Sequence, residues 1–158
     1  MSKIALHSNC GDHRLEFLSM SELRVDGEPA YDVSIRVAGQ HFDGEHSRSV
    51  SAMTDGLYVS QRELRRMVEE LRGWLALSLA EMAAAPLAGT YSLSPTKDQR
   101  LDITFGERED VIAASNHVVS FRIEVGRLRA QYFFVTDQSC VRAFQIALER
   151  RLGKRPAN

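Results

Sequence analysis

GLYVSQRELRRMVEELRGWLALSLAEMAAAP, residues 56–86, is the stretch whose reading decides the fold. It reads as a short strand turning into one long amphipathic helix. Ser60 supplies the N-cap, its hydroxyl placed to accept from an unpaired backbone N–H of the first turn. Glu63 follows three residues later and completes a capping box, and Val59 and Leu64 have the spacing of a hydrophobic staple. Leu64, Met67, Val68, Leu71, Leu75, Leu79 and Met82 keep the three–four rhythm of one helix face. Arg62, Arg65, Arg66, Glu69, Glu70 and Arg72 fill the opposite face of the first half. Pro86 ends the run, because the residue before a proline is pushed out of the helical region. A helix over 61–85 would be roughly 37 Å long at 1.5 Å per residue. Gly73 costs it about 1 kcal/mol relative to alanine. The apolar phase continues through Gly73, so one helix is expected, with Gly73 admitting the close approach of another element.

The second half of that helix, WLALSLAEMAAAP, carries a single charge, Glu81. A helix apolar nearly all round is buried on more than one side. Two readings follow. One is a central helix covered by a sheet and by loops. The other is a partner or homodimer surface over residues 74–85, with Trp74, Leu77 and Glu81 as candidate contact residues.

Outward from the helix the chain reads mostly as strand. Residues 3–7 form a first strand and 14–21 a second, with turn chemistry at Asn9, Gly11 and Asp12 between them. Residues 24–29 are a loop turning at Asp26 and Gly27. In 31–38, Val33, Ile35 and Val37 alternate with Asp32, Ser34 and Arg36, a half-buried strand. Gly39 and Gln40 are read as a turn into a further strand from His41 towards Ala52, interrupted by the polar run 43–48. Beyond the helix, 90–94 and 101–106 form a hairpin, followed by a charged loop at 107–110. Residues 119–125 and 128–136 form a second hairpin around Gly126 and Arg127, a pair with the leading glycine of a type II′ turn. Asp137 or Ser139 caps a last helix with a stripe of Val141, Phe144, Leu148 and Leu152, stopped by Gly153. The plan is hairpins followed by a helix, twice over. The fold class expected is α+β: an antiparallel β-sheet with one long central helix and a C-terminal helix packed on one face. Residues 1–153 are expected to be a single domain and 154–158 a disordered tail.

Charge and composition exclude several functions at this stage. The 20 basic residues nearly balance the 21 acidic ones, for a net charge of −1, which lacks the basic footprint of a nucleic-acid binder. The two cysteines, Cys10 and Cys140, make no disulfide framework and suit a reducing cytosol. Neither a signal peptide nor a membrane span is expected. The chain is therefore read as cytoplasmic, with no nucleic acid and no membrane among its partners.

Motifs that carry chemistry are weak. His7, Cys10 and His13 give H-x2-C-x2-H, residue types that bind zinc, and Asp12, His41 or His46 could complete the set. The spacing matches no zinc signature and the second ligand pair is missing, so no metal and no cofactor are expected. Cys140 lies in the first turn of the last helix, where a thiol can be activated, but the Asp137 cap opposes that. The acid pairs (Glu69–Glu70, Asp43–Glu45, and Glu107, Glu109 and Asp110) fall on a polar helix face or in loops and read as solvated charge. Arg62, Arg65, Arg66 and Arg72 interleave with glutamates, which points to pairing along the helix. No phosphate-cradling glycine loop and no nucleophile elbow occur. The chain is expected not to be an enzyme.

The segments GLYVSQRELRRMVEELRGWL (56–75) and NHVVSFRIEVGRLRAQYFFVTDQSCVRAFQIALERRL (116–152) resemble the layout of the WapI-type family of bacterial immunity proteins, or of a related uncharacterised bacterial family. What the resemblance implies is a cytoplasmic, non-enzymatic, protein-binding module that neutralises a cognate toxin domain. It supplies no catalytic residue. The alternative expectation is a self-associating, homodimeric domain with a structural or scaffold role. A third is an enzyme or metal protein built on the histidines and Cys10.

Overall fold

The computed structural model describes residues 3–42, 44–106 and 116–153. Strands β1 (Ile4–His7), β2 (His13–Val25), β3 (Glu28–Phe42) and β4 (Ser47–Ser60) lead into helices α1 (Gln61–Leu75) and α2 (Leu79–Ala84). Strands β5 (Gly89–Ser92), β6 (Gln99–Gly106), β7 (Asn116–Val125) and β8 (Leu128–Asp137) lead into α3 (Gln138–Leu152). The class is α+β, as expected. The strands form two antiparallel sheets rather than one, ordered β1-β2-β3-β4 and β5-β6-β7-β8. Each sheet is a meander in which every strand pairs with its neighbour in sequence.

Alternation along the strands builds one core. Leu6, Leu15, Val33, Ile35 and Leu57 of the first sheet face Leu101, Ile103, Phe105, Val119 and Phe121 of the second, all essentially inaccessible. Leu64, Met67 and Leu71 of α1 and Val141, Phe144 and Leu148 of α3 complete the same cluster. Backbone and side-chain bonds stitch the sheets on both sides. The Gln99 side chain accepts from the Tyr58 N–H and donates to the Gly56 carbonyl, both at 2.8 Å, capping the exposed edge of β4. At the far side the Thr136 hydroxyl donates to the His7 carbonyl at 2.8 Å, and the Asn9 N–H donates to Val135 at 2.9 Å.

Three local readings change. First, the expected single helix over 61–85 breaks after Leu75. Ser78 accepts from the Glu81 N–H while the Glu81 carboxylate accepts from the Ser78 N–H, a complete capping box that starts α2 afresh. Second, Gly73 admits no neighbour, since nothing lies within 4 Å of where its Cβ would stand. Third, Gly39 and Gln40 do not turn. They lie inside β3, which runs on to Phe42, with Gly39 opposite Val50 and Gln40 opposite Ser49 of β4. The hairpin at Gly126 is as read: Gly126 has φ 59°, and Asp137 caps α3 by accepting from the Cys140 N–H. The charged loop expected at 107–110 and the tail at 154–158 lie outside the described residues.

Candidate functional site

The residues singled out in the sequence are mostly held by their own surroundings. The half-buried Trp74 donates its indole N–H to the Ala85 carbonyl at 3.0 Å and meets the His117 ring edge-on. Glu81 is exposed but engaged in the α2 cap, and Leu77 is half-buried in the turn between the helices. Arg65 donates to the Leu152 carbonyl, Arg66 pairs with Glu63 and Glu70, and Arg72 pairs with Glu149. Arg65 and Arg72 therefore serve the α1–α3 contact, whereas Arg62 and Arg66 pair along α1 itself. Burial pushes the Cys140 thiol up, and Asp137 beside it pushes the same way, so the helix N-terminus does not activate it. His13 binds Tyr132 rather than Cys10. Among the described residues, no group of three His, Cys, Asp or Glu side chains could hold a metal.

A different surface collects recognition chemistry: the outer face of the second sheet. Its strands bury alternate residues, so the intervening ones line up outward in cross-strand rows. Thr90, Thr104, Ser120 and Phe133 form one row, Ser92, Asp102, Arg122 and Gln131 the next, and Arg100, Glu124 and Arg129 a third. Thr90 and Thr104 share a hydroxyl–hydroxyl bond of 3.0 Å. Arg122 donates twice to one oxygen of Glu124, at 3.1 and 3.2 Å, and Arg100 stands 3.8 Å from the same carboxylate. Three arginines thus face two carboxylates across these rows. Phe133 stands on edge strand β8 with 57% of its surface exposed.

The face was legible in outline. The alternation that put Ala130, Tyr132 and Phe134 inward places Arg129, Gln131 and Phe133 outward, and β7 adds Ser120 and Arg122 by the same rule. Reading each strand only for its inward set hid that row. Between the inner faces the two sheets leave a second feature, an apolar cavity of about 180 Å³ lined by Ile35, Val37, Ala52, Ile123 and Ala130 among others. Among the described residues, no helix is long and apolar enough to cross a membrane.

No protein-family model matches the chain, and no curated protein matches it. The solved structures that resemble it include two plant proteins. One is described as the plant transcriptional regulator PBF-2, at 12% identity and a TM-score of 0.45, covering 95% of this chain and 79% of that one. The other is WHY3 from Arabidopsis thaliana, at 9% identity and a TM-score of 0.42, covering 96% of this chain and 86% of that one. Two expectations are corrected here. The first of the two structures is described as a transcriptional regulator and neither as a toxin-neutralising immunity protein, so the toxin-neutralising, protein-binding reading is withdrawn. The exclusion of nucleic acid falls for the same reason. Net charge sums over the whole surface, whereas binding is decided face by face, so a net charge of −1 does not by itself exclude nucleic acid.

Proposed function

We propose that the chain binds single-stranded nucleic acid across the outer face of the second sheet, and that it does so without catalysing a reaction. The observation that carries this reading is Phe133, an exposed ring on a polar sheet face, opposite Ser120 and flanked in the next row by Gln131 and Arg122. A base stacks on an exposed aromatic ring whatever its identity, a contact worth about 1–3 kcal/mol per base. Arg100, Arg122 and Arg129, in the two rows next to that of Phe133, offer guanidinium groups to the backbone phosphates. Thr104, Ser120 and Gln131 supply donors and acceptors to base edges. A single strand can splay its bases onto such a face, whereas a duplex keeps them stacked and presents phosphates alone. The arginines exceed the carboxylates by one, so attraction at long range is modest and stacking must supply most of the affinity.

The test is fluorescence anisotropy with a labelled mixed-sequence DNA oligonucleotide at low salt. Binding of the single strand in preference to the matching duplex, weakened at least fivefold by Phe133→Ala, is the expected result. No binding by the wild-type chain, or equal binding by the variant, would overturn the reading.

A further inference from the structure

Glu16 lies on β2 with its side chain wholly buried, and three cations converge on it. Lys3 Nζ and Arg14 Nε reach one carboxylate oxygen at 2.5 and 2.6 Å. Arg36 reaches the other through Nη2 at 2.5 Å and Nε at 2.7 Å. Register explains the cluster: Glu16 is the cross-strand partner of both Ala5 and Arg36, with Arg14 two residues along the same face. One cation neutralises one carboxylate. Three leave two positive charges fixed within a few ångströms of each other, an arrangement that repels itself unless an anion shares it. The side chains of Arg14 and Arg36 remain about one-third exposed, at 34% and 35%. They form one wall of a polar groove of about 340 Å³ on the outer face of the first sheet. Ser49 and Ser51 of β4 form the other wall, Ala38 and Gly39 the floor, and Asp12 closes one end.

We infer that this groove is a phosphate site, taking a phosphomonoester dianion, which the cluster's two surplus cations attract and the Asp12 carboxylate at one end partly opposes. Guanidinium groups suit phosphate because their planar forks meet its oxygens in pairs. Here Glu16 fixes both arginines in advance, so little side-chain freedom is lost on binding. The serine hydroxyls can donate to the remaining oxygens, and the small floor residues leave the anion room. A phosphodiester, with one charge, fits this cluster less well than a terminal phosphate. The site lies on the other sheet from Phe133 and does not depend on the reading given above.

The experiment is isothermal titration of the full chain with inorganic phosphate at about pH 8, where the dianion predominates. Beside it runs a short DNA oligonucleotide with either a 5′-phosphate or a 5′-hydroxyl. Saturable phosphate binding that falls at least tenfold in Arg14→Gln, and less in Arg14→Lys, would support a site for free phosphate. A 5′-phosphorylated strand that binds at least tenfold more tightly than its hydroxyl twin, with the difference lost in Arg14→Gln, would support the end of a nucleic acid as the source. If neither ligand shows a dependence on Arg14, the proposal fails. Should Arg14→Gln lose its fold by circular dichroism, Lys3→Gln replaces it. The Lys3 side chain is 59% exposed, and its loss must weaken the same binding by at least threefold. An unchanged affinity would overturn the site.

Discussion

His13 Nδ1 and Tyr132 Oη meet at 2.5 Å, joining β2 of the first sheet to β8 of the second, directly over the backbone of Gly39. A Cβ on Gly39 would stand 2.1 Å from that hydroxyl and 2.2 Å from that nitrogen. The bond between the sheets therefore exists only because residue 39 has no side chain. Gly39→Ala is expected to lower stability by about 1–3 kcal/mol, the usual cost of forcing a packed interior apart. Tyr132→Phe removes the closest clashing atom. The double variant should lose less than the sum of the two single losses, as read from urea midpoints. Strict additivity would mean that the three groups are not coupled.

Glu16 sets the acid limit of the fold. Burial alone would raise its carboxyl, but the hydrogen bonds from Lys3, Arg36 and Arg14 outweigh this and bring it from an ordinary 4.5 down to about 2. A folded value below the unfolded one means that the stabilisation is complete above about pH 5 and is lost as pH falls towards 2. The shift corresponds to on the order of 3 kcal/mol. Urea midpoints taken from pH 6 down to pH 2.5 should fall steeply for the wild-type chain. Glu16→Gln should start lower, by about 1–3 kcal/mol for the broken charged hydrogen bonds, and should decline less over the same interval. Parallel curves would remove Glu16 from the acid response.

Binding of a single strand on the second sheet should depend on salt through the phosphates that its arginines meet. Each phosphate neutralised on a single strand contributes about −0.7 to the slope of log affinity against log salt. Arg122→Gln is expected to flatten that slope by about 0.7. Phe133→Ala should lower affinity at every salt concentration and leave the slope as it was. Anisotropy titrations at four salt concentrations separate the two effects.

The α2 cap can be tested without disturbing the core. Met82 is the single buried residue of α2, so the helix adds little to global stability. Ser78→Ala removes an N-cap worth about 1 kcal/mol. The loss should appear as faster amide exchange over 79–85 and a red shift of Trp74, the only tryptophan, with the urea midpoint nearly unchanged. A large fall in midpoint would mean that α2 belongs to the main cooperative unit.

Where local chemistry decided an element, the sequence was readable. The Ser60 and Asp137 caps, the Gly126 turn and the buried stripes of α1 and α3 all follow from residues a few positions apart. The α2 cap was equally local, since Ser78 and Glu81 have the spacing of Ser60 and Glu63. It was overlooked because the apolar phase of α1 continues past the break. Gly39 could not be read locally. Its reason lies in Tyr132, which is remote in sequence and reaches it only when the two sheets face each other. The second sheet was missed for a similar cause: strand patterns give each strand a face but do not say which strands share a sheet. Glu16 and its cations were hidden because their pairing runs across three strands, and a count of charges cancels them.

Among the described residues, each sheet is built within its own half of the chain, and no strand crosses from one to the other. The halves meet through side chains and a few bonds at the edges. The covalent link over 85–88 adds proximity but no topology. Two separately made polypeptides cut in that link should therefore find each other in solution and rebuild the fold, as a split protein does. Trp74 on one fragment would then come to rest against His117 on the other, and its emission would report the moment of assembly.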